Sequence, residues 1–257
     1  MFSIPVEPLF VGILVMVRVS LFLSFMPVFG DVFVPVRVRL ALGLAITLVL
    51  TPLLYRTPLT FPFTIAGFLV VLLPEALLGM AFGLVGRILF AIFQYTGNII
   101  GEQLGFHMAQ TIDPSQEQQV TVMAQLLFIC ALLVFFGVDA HHLFFHALSV
   151  SFAELPPGSL GFSFHLHDFF REQGARMFYL AVQMSLPIIA VIFVVNAGMG
   201  MLAKAVPQIQ VFFESFIVRI IIGLFMLSAV IGFIVNQMVE VFGRLWPDLE
   251  TLILLMR

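Results

Sequence analysis

The chain has 257 residues, 61% of them hydrophobic and only 10% charged, against roughly 25% charged in ordinary soluble domains. With a mean hydropathy of +1.16, it lacks the polar side chains a water-exposed surface of this size needs, which excludes the soluble class and favours a membrane protein. Net charge is −3 and no Lys/Arg-rich run exists, which excludes nucleic-acid binding through a basic patch.

In chain order, "MFSIPVEPLF" has no basic n-region, so it does not read as a cleaved signal peptide, and the first helix is expected to act as its own insertion signal. That helix is predicted over 8–29, with Arg18 near its middle. "GDVFVPVRVR" (30–39) reads as a Gly/Pro turn with two arginines, and a second helix over 38–54 is expected to stop at Pro52. After "YRTPLTFPF", a third helix is predicted over 64–96, carrying Pro74, Glu75 and Arg87. A polar stretch from Gly97 to Gln119 follows, with five glutamines, three acids and no Lys or Arg. A fourth helix is predicted over 119–137, continued by an amphipathic piece that ends in Pro-Pro-Gly. Residues 159–174 read as a polar connection. The fifth helix is predicted over 175–205 and the sixth over 209–243, joined by "KAVPQIQ" and followed by the short tail "RLWPDLETLILLMR".

Several apolar runs reach the ~20 residues that cross a ~30 Å hydrocarbon core, and they are too continuous for barrel strands, which alternate every second residue. The expected fold is therefore all-α, with about six membrane-type helices. Cationic residues divide five against three between the two sides of a six-span arrangement, which points to cytoplasmic termini. Residues 1–155 are interrupted, charge-bearing segments, whereas 175–245 reads as a clean two-helix hairpin. The lone Cys130 lies in an apolar run and reads as a small core hydrophobe.

Arg18, Glu75, Arg87, Glu214 and Arg219 fall inside predicted apolar helices. At bilayer depth a charge costs at least ~2.5–3.5 kcal/mol, so these five are expected to face protein or water. Glu75 and Arg87 are separated by about 18 Å along a straight helix and cannot pair with each other. Glu214 and Arg219 point about 140° apart, so they too need partners from elsewhere. Gly79–Gly83 and Gly97–Gly101–Gly105 are small-xxx-small patterns that allow helix backbones to approach closely.

Candidate chemistry is sparse. Asp139, His142 and His146 share a helix face at i, i+3, i+7, but the Glu of HExxH is absent and the set reads as the wet side of an interfacial helix, so no metal is expected. No GxSxG, P-loop, GxGxxG or paired catalytic carboxylates are visible, which disfavours an enzyme and leaves no catalytic residue or cofactor to name. A secondary transporter with a helix broken at Pro74-Glu75 stays open as an alternative, although the chain is short for two repeated halves and shows no internal repeat. On composition alone, 97–119 reads as an ordinary solvent-exposed loop, with Asp113-Pro114 as a turn before the fourth helix.

Four ordered motifs over about 200 residues carry a resemblance. They are "VRVSLFLSFMPVFGDVFVPVRVRLALGLAITLVLTP" (17–52), "GEQLGFHMAQTIDP" (101–114), "GVDAHHLFFHALSVSFAELPPG" (137–158) and "LPIIAVIFVVNAGMGMLAKAVPQIQVFF" (186–213), of which "AVPQIQVF" is the most specific. With them the chain resembles the FliR family of flagellar biosynthetic proteins, the R subunit of the flagellar type III secretion export gate. It departs from the family pattern at Asp139, where a small residue is expected beside the histidines.

The resemblance implies a P-subunit-like helical region (1–174) followed by a Q-subunit-like hairpin and tail (175–257), completing a helical assembly that stands largely above the membrane plane. It implies a channel for unfolded flagellar proteins, built with the P and Q subunits (FliP, FliQ) beside FlhB and other export apparatus proteins. The location it implies is the bacterial inner membrane and the flagellar basal body, with contact to membrane lipid. It also implies a pore plug at Gly105, Phe106, His107, Met108, Ala109, Gln110, Thr111, Asp113 and Pro114. Subunit interfaces are implied at Arg37, Arg39, Pro207, Gln208 and Phe212, and for the five buried charges. An injectisome gate subunit is the alternative within the same class.

Overall fold

A computed structural model describes residues 6–30, 34–54, 65–106, 121–158, 166–205 and 211–257. Among them are nine helices and no strand: α1 (Val6–Phe25), α2 (Pro27–Gly30), α3 (Val36–Leu54), α4 (Ile65–Leu104), α5 (Val122–Gly137), α6 (Ala140–Glu154), α7 (Leu166–Ala205), α8 (Val211–Gly243) and α9 (Leu245–Met256). The all-α expectation holds. Five stretches are long and apolar enough to cross a membrane, and α5 with α6 makes a sixth if the pair counts as one span.

Several boundaries differ from the sequence expectation for local reasons. The first helix breaks at Met26 because Pro27 has no N–H to donate, and the chain restarts as α2 with Gly30 N–H donating to Met26 O at 2.6 Å. Pro52 does not stop α3; it lies in the last turn, where one lost backbone bond is tolerated. The fourth helix starts later than predicted, at Val122, because Thr121 caps it by accepting the Ala124 N–H at 3.1 Å. α7 starts at Leu166 rather than at 175, so the polar run 166–174 is helical, with Arg171 3.5 Å from Asp168 one turn earlier. The tail is helix α9, whose Leu245, Leu249, Leu252, Ile253 and Met256 are buried. That spacing marks one face of an amphipathic helix.

The chain gathers into two compact units that interleave along the sequence: Met1–Ile88 with Asp139–Gln173 and Gly243–Arg257, and Leu89–Val138 with Gly174–Phe242. The first unit is centred on α1, where Val11, Leu14, Val15, Val19, Phe22 and Leu23 are buried. α3 meets α1 along a narrow seam in which Gly12 faces Thr51 and Gly43 faces Ser20. Its other faces leave Leu44, Leu48, Val49 and Leu53 exposed. α9 packs on α6 in the same unit, where Trp246 stacks on His146 at 4.8 Å.

The second unit is organised by an aromatic cluster. Phe90 lies 5.3 to 5.6 Å from the rings of Phe128, Phe135 and Phe242, within the 4.5–7 Å range typical of favourable aromatic pairs. Ala181, Met184, Ile188 and Ile192 of α7 are fully buried in that unit.

Candidate functional site

Two arrangements draw together residues singled out in the sequence. The first lies in the unit built on α1. Gly79 lets α4 approach α1 closely, because a Cβ there would overlap the Arg18 carbonyl oxygen, and Gly83 one turn on lies against Phe22 and Phe25. This close approach brings Glu75 beside Arg18. Arg18 Nε donates to Glu75 Oε2 at 2.6 Å, and both side chains are fully buried.

The rest of the guanidinium is also used. Nη1 donates to Ser151 O at 3.1 Å and to its Oγ at 3.3 Å, while Nη2 donates to Leu155 O at 3.0 Å. Its carbon lies 4.2 Å from the Phe152 ring centroid. Glu75 Oε1 accepts the Gly158 N–H at 3.0 Å. The pair therefore ties α1 and α4 to the last turn of α6 and to the Pro-Pro-Gly turn beyond it. Ser151 O already accepts the Leu155 N–H at 2.9 Å, whereas Leu155 O stands just past the end of α6, where carbonyls lack a partner within the helix. The arginine supplies a donor to Leu155 O and a second one to Ser151 O, and an i, i+3 sequence rule cannot show this because the partners are more than 130 positions away.

The other three charges behave differently. Arg87 is exposed on α4. Glu214 is exposed in the first turn of α8, where the positive helix end favours an acid. Arg219 is half-buried and donates to Ser215 O at 3.3 Å and Ser215 Oγ at 3.0 Å. Of the five charges, Arg18 and Glu75 are the two buried within this chain. Arg18 and Glu75 satisfy each other inside the chain and need no partner subunit. Arg37 is exposed and Arg39 half-buried; Phe212 lies in α8, while Pro207 and Gln208 are outside the described residues.

The second arrangement is the glycine ladder, in the other unit. Gly97 lies against the Ala124 backbone, and at Gly101 a Cβ would come within 2.9 Å of Thr121 Oγ1, so the N-terminus of α5 sits directly on α4. This contact explains why α4 stays helical to Leu104, eight residues past the predicted end. Packing outweighs the ~1 kcal/mol that each glycine costs a helix.

Gly105 then ends the helix with φ +85°, and Phe106 N–H donates to Gly101 O at 3.1 Å. A left-handed glycine with that long back-bond is the Schellman form of C-cap. Two residues of α8 hold this end. A Cβ at Gly105 would lie 3.1 Å from Phe216, and Leu104 fits against Gly223, which has no room for a side chain. Neither Phe216 nor Gly223 was singled out in the sequence, which carries no local signal for either. Of the plug set, Gly105 is buried and Phe106 half-buried; His107, Met108, Ala109, Gln110, Thr111, Asp113 and Pro114 lie outside the described residues.

The histidine face is also revised. His146 stacks on Trp246, while His141, not His146, joins Asp139 and His142 at the start of α6.

The chain matches the family described as bacterial export proteins, family 1, over residues 9–245. It is similar to the flagellar biosynthetic protein FliR of Pectobacterium carotovorum, at 30% identity over 85% of this chain and 83% of that protein. The FliR of Caulobacter vibrioides is 30% identical over 85% of this chain and 87% of its own length. That of Bacillus subtilis is 28% identical over 95% and 94%, respectively.

Proposed function

The chain belongs to family 1 of the bacterial export proteins, among the FliR flagellar biosynthetic proteins, and is a membrane-associated component of flagellar export; from that premise we propose that it is the R-type core subunit of the export gate. In this reading it forms, with FliP and FliQ, the channel through which unfolded flagellar proteins pass, next to FlhB, in the inner membrane at the basal body. Residues 1–174 supply the P-like part and 175–257 the Q-like hairpin and tail. The segment from Gly105 to Pro114 closes the resting pore. The protein is a conduit and performs no catalysis of its own.

The observation that carries this reading is the length and exposure of α7. Its 40 residues extend about 60 Å at 1.5 Å per residue, twice the ~30 Å that lipid tails cover. Only 28% of its apolar window is buried within the chain, and Phe178, Tyr179, Phe193, Val194 and Met201 are exposed along it. The polar run 166–174 can face water, but the 31 residues from 175 to 205 still extend about 46 Å, beyond what lipid tails cover, and the exposed apolar side chains past that length favour a protein partner. A lone solute transporter supplies no such cover. The flagellar names of the three relatives favour the flagellar gate over the injectisome gate.

Co-purification tests it. The chain is expected to come out with several copies of two other small helical membrane proteins, and loss of its gene to abolish motility. Recovery of a stable monomer or homo-oligomer that binds a small solute would reject the proposal.

A further inference from the structure

The start of α6 holds three ligand-type side chains that the export reading does not use. Asp139 precedes the helix at φ 56°, ψ 24°, the one left-handed non-glycine residue among those described. Its carboxylate makes no capping hydrogen bond to the helix. Instead its Oδ1 lies 3.7 Å from His142 Nδ1, and the rings of His141 and His142 have centroids 4.1 Å apart. One ligand atom from each of Asp139, His141 and His142 lies within 4.8 Å of the other two.

This convergence does not follow from helical spacing. On one continuous helix Asp139 and His141 would point about 200° apart, and His141 and His142 about 100° apart. With the left-handed turn at Asp139, its carboxylate instead comes within reach of ligand atoms of both His141 and His142. His146, which helical spacing assigns to the same face, is occupied by its stack on Trp246.

We propose that Asp139, His141 and His142 form a binding site for a divalent transition metal of zinc type. Two imidazoles and one carboxylate make a common zinc donor set, with a fourth position left for water or a donor from outside the chain. With metal–ligand bonds of about 2.0–2.1 Å, tetrahedral ligand atoms lie about 3.3 Å apart. The side chains of Asp139 and His142 are 73% and 71% exposed, so they can rotate to close the gap without disturbing the core. The positive end of α6 opposes a dication, and the Asp139 carboxylate offsets that partial charge. Bound metal would pin the first turn of α6 to the residue where the chain leaves α5. Calcium or magnesium is disfavoured because those ions take oxygen ligands.

The test uses the full chain in detergent, free of any histidine tag and stripped by a chelator. Cobalt(II) is titrated and read by the visible absorption of tetrahedral cobalt, followed by displacement with zinc. One cobalt per chain is expected. Asp139→Asn, His141→Ala and His142→Ala should each weaken binding at least about 10-fold, since even the outer partners of ligands are worth 10–100-fold. His146→Ala and His167→Ala should leave it unchanged. Wild-type binding no tighter than that of the double variant His141→Ala/His142→Ala, or an equal loss in His146→Ala, would overturn the proposal. Far-ultraviolet circular dichroism, read on the same detergent samples, checks that every variant stays folded.

Discussion

Arg18 and Glu75, 57 positions apart, form a 2.6 Å ion pair from which solvent is fully excluded. The pair ties α1 and α4 to the end of α6, and removing one partner leaves a buried charge uncompensated. Arg18→Met or Glu75→Gln is expected to cost roughly 3–5 kcal/mol, and the apolar double variant Arg18→Met/Glu75→Leu should recover only part of that loss, because Leu155 O and the Gly158 N–H then lose their partners. The reversed pair Arg18→Glu/Glu75→Arg should not recover it. A carboxylate at position 18 would face the Ser151 and Leu155 carbonyl oxygens, which repel it and to which it can donate nothing. Thermal unfolding of the purified chain, with membrane abundance as a second readout, checks both statements.

Glycine substitutions should divide sharply by site. At Gly79 a methyl group meets the Arg18 backbone, which cannot yield as a flexible side chain would, and Gly79→Ala should destabilise by on the order of 1–3 kcal/mol. Gly200 is exposed on α7 with nothing within 4 Å of where a Cβ would stand. Gly200→Ala should therefore stabilise the isolated chain by up to about 1 kcal/mol through helix propensity. Unfolding midpoints of opposite sign are the expected result.

The terminal helix offers a similar contrast. Leu249 is fully buried and Leu254 is 62% exposed on the same helix. Leu249→Ala should cost about 2–5 kcal/mol by leaving a cavity under α9. Leu254→Ala should leave the isolated chain within about 0.5 kcal/mol of wild type. Equal losses in a thermal melt would show that α9 does not pack through the face described.

How much of this was legible in the sequence depends on how far each signal reaches. The all-α class follows from apolar runs near Val191 and Ile221, and the close helix packing at Gly79 and Gly97 follows from a four-residue period. Both are local patterns. The terminal helix was also readable: Leu245, Leu249, Leu252 and Met256 carry the right spacing, but a single short stretch after Pro247 read as a tail. The partners of Arg18 were not readable. Leu155 and, apart from a longer bond to its hydroxyl, Ser151 act through backbone carbonyls, which every residue type has, so no side-chain pattern marks them. The polar stretch after Gly97 misled for a related reason. Asn98, Glu102 and Gln103 look like loop residues, yet the contact of Gly97 and Gly101 with α5 keeps them helical.

Gly105 should tolerate little. Its φ of +85° costs a side chain about 1–2 kcal/mol, and Phe216 lies 3.1 Å from where the Cβ would stand. Gly105→Ala is expected to lower the unfolding midpoint, and Gly105→Asn to lower it less in backbone strain because Asn enters the left-handed region more readily. The variant pair Gly105→Ala/Phe216→Ala relieves the steric part and keeps the strain, so it should recover only part of the loss.

The plug reading makes the sharpest claim on function. The helical approach ends at Gly105, capped by the Phe106 to Gly101 bond and held by Leu104 against Gly223. Removing 106–110 takes the Phe106 donor with it, but that bond is made by backbone, so the N–H that then follows Gly105 can replace it; with Leu104 and Gly105 still held against α8, α4, α5 and α8 should stay packed as before. The lost segment carries Met108, whose flexible side chain adapts to irregular contacts, and small Ala109. It has no Lys or Arg that would hold an acidic passenger. Such a segment can fill a pore at rest and withdraw at modest cost. Deleting 106–110 is therefore expected to leave co-purification with the partner subunits unchanged and to raise ion leakage across the membrane, measured as conductance in planar bilayers or as loss of a proton gradient in vesicles. Unchanged leakage with assembly intact would remove the plug role from this segment. Loss of assembly would instead show that the segment builds the gate rather than closing it.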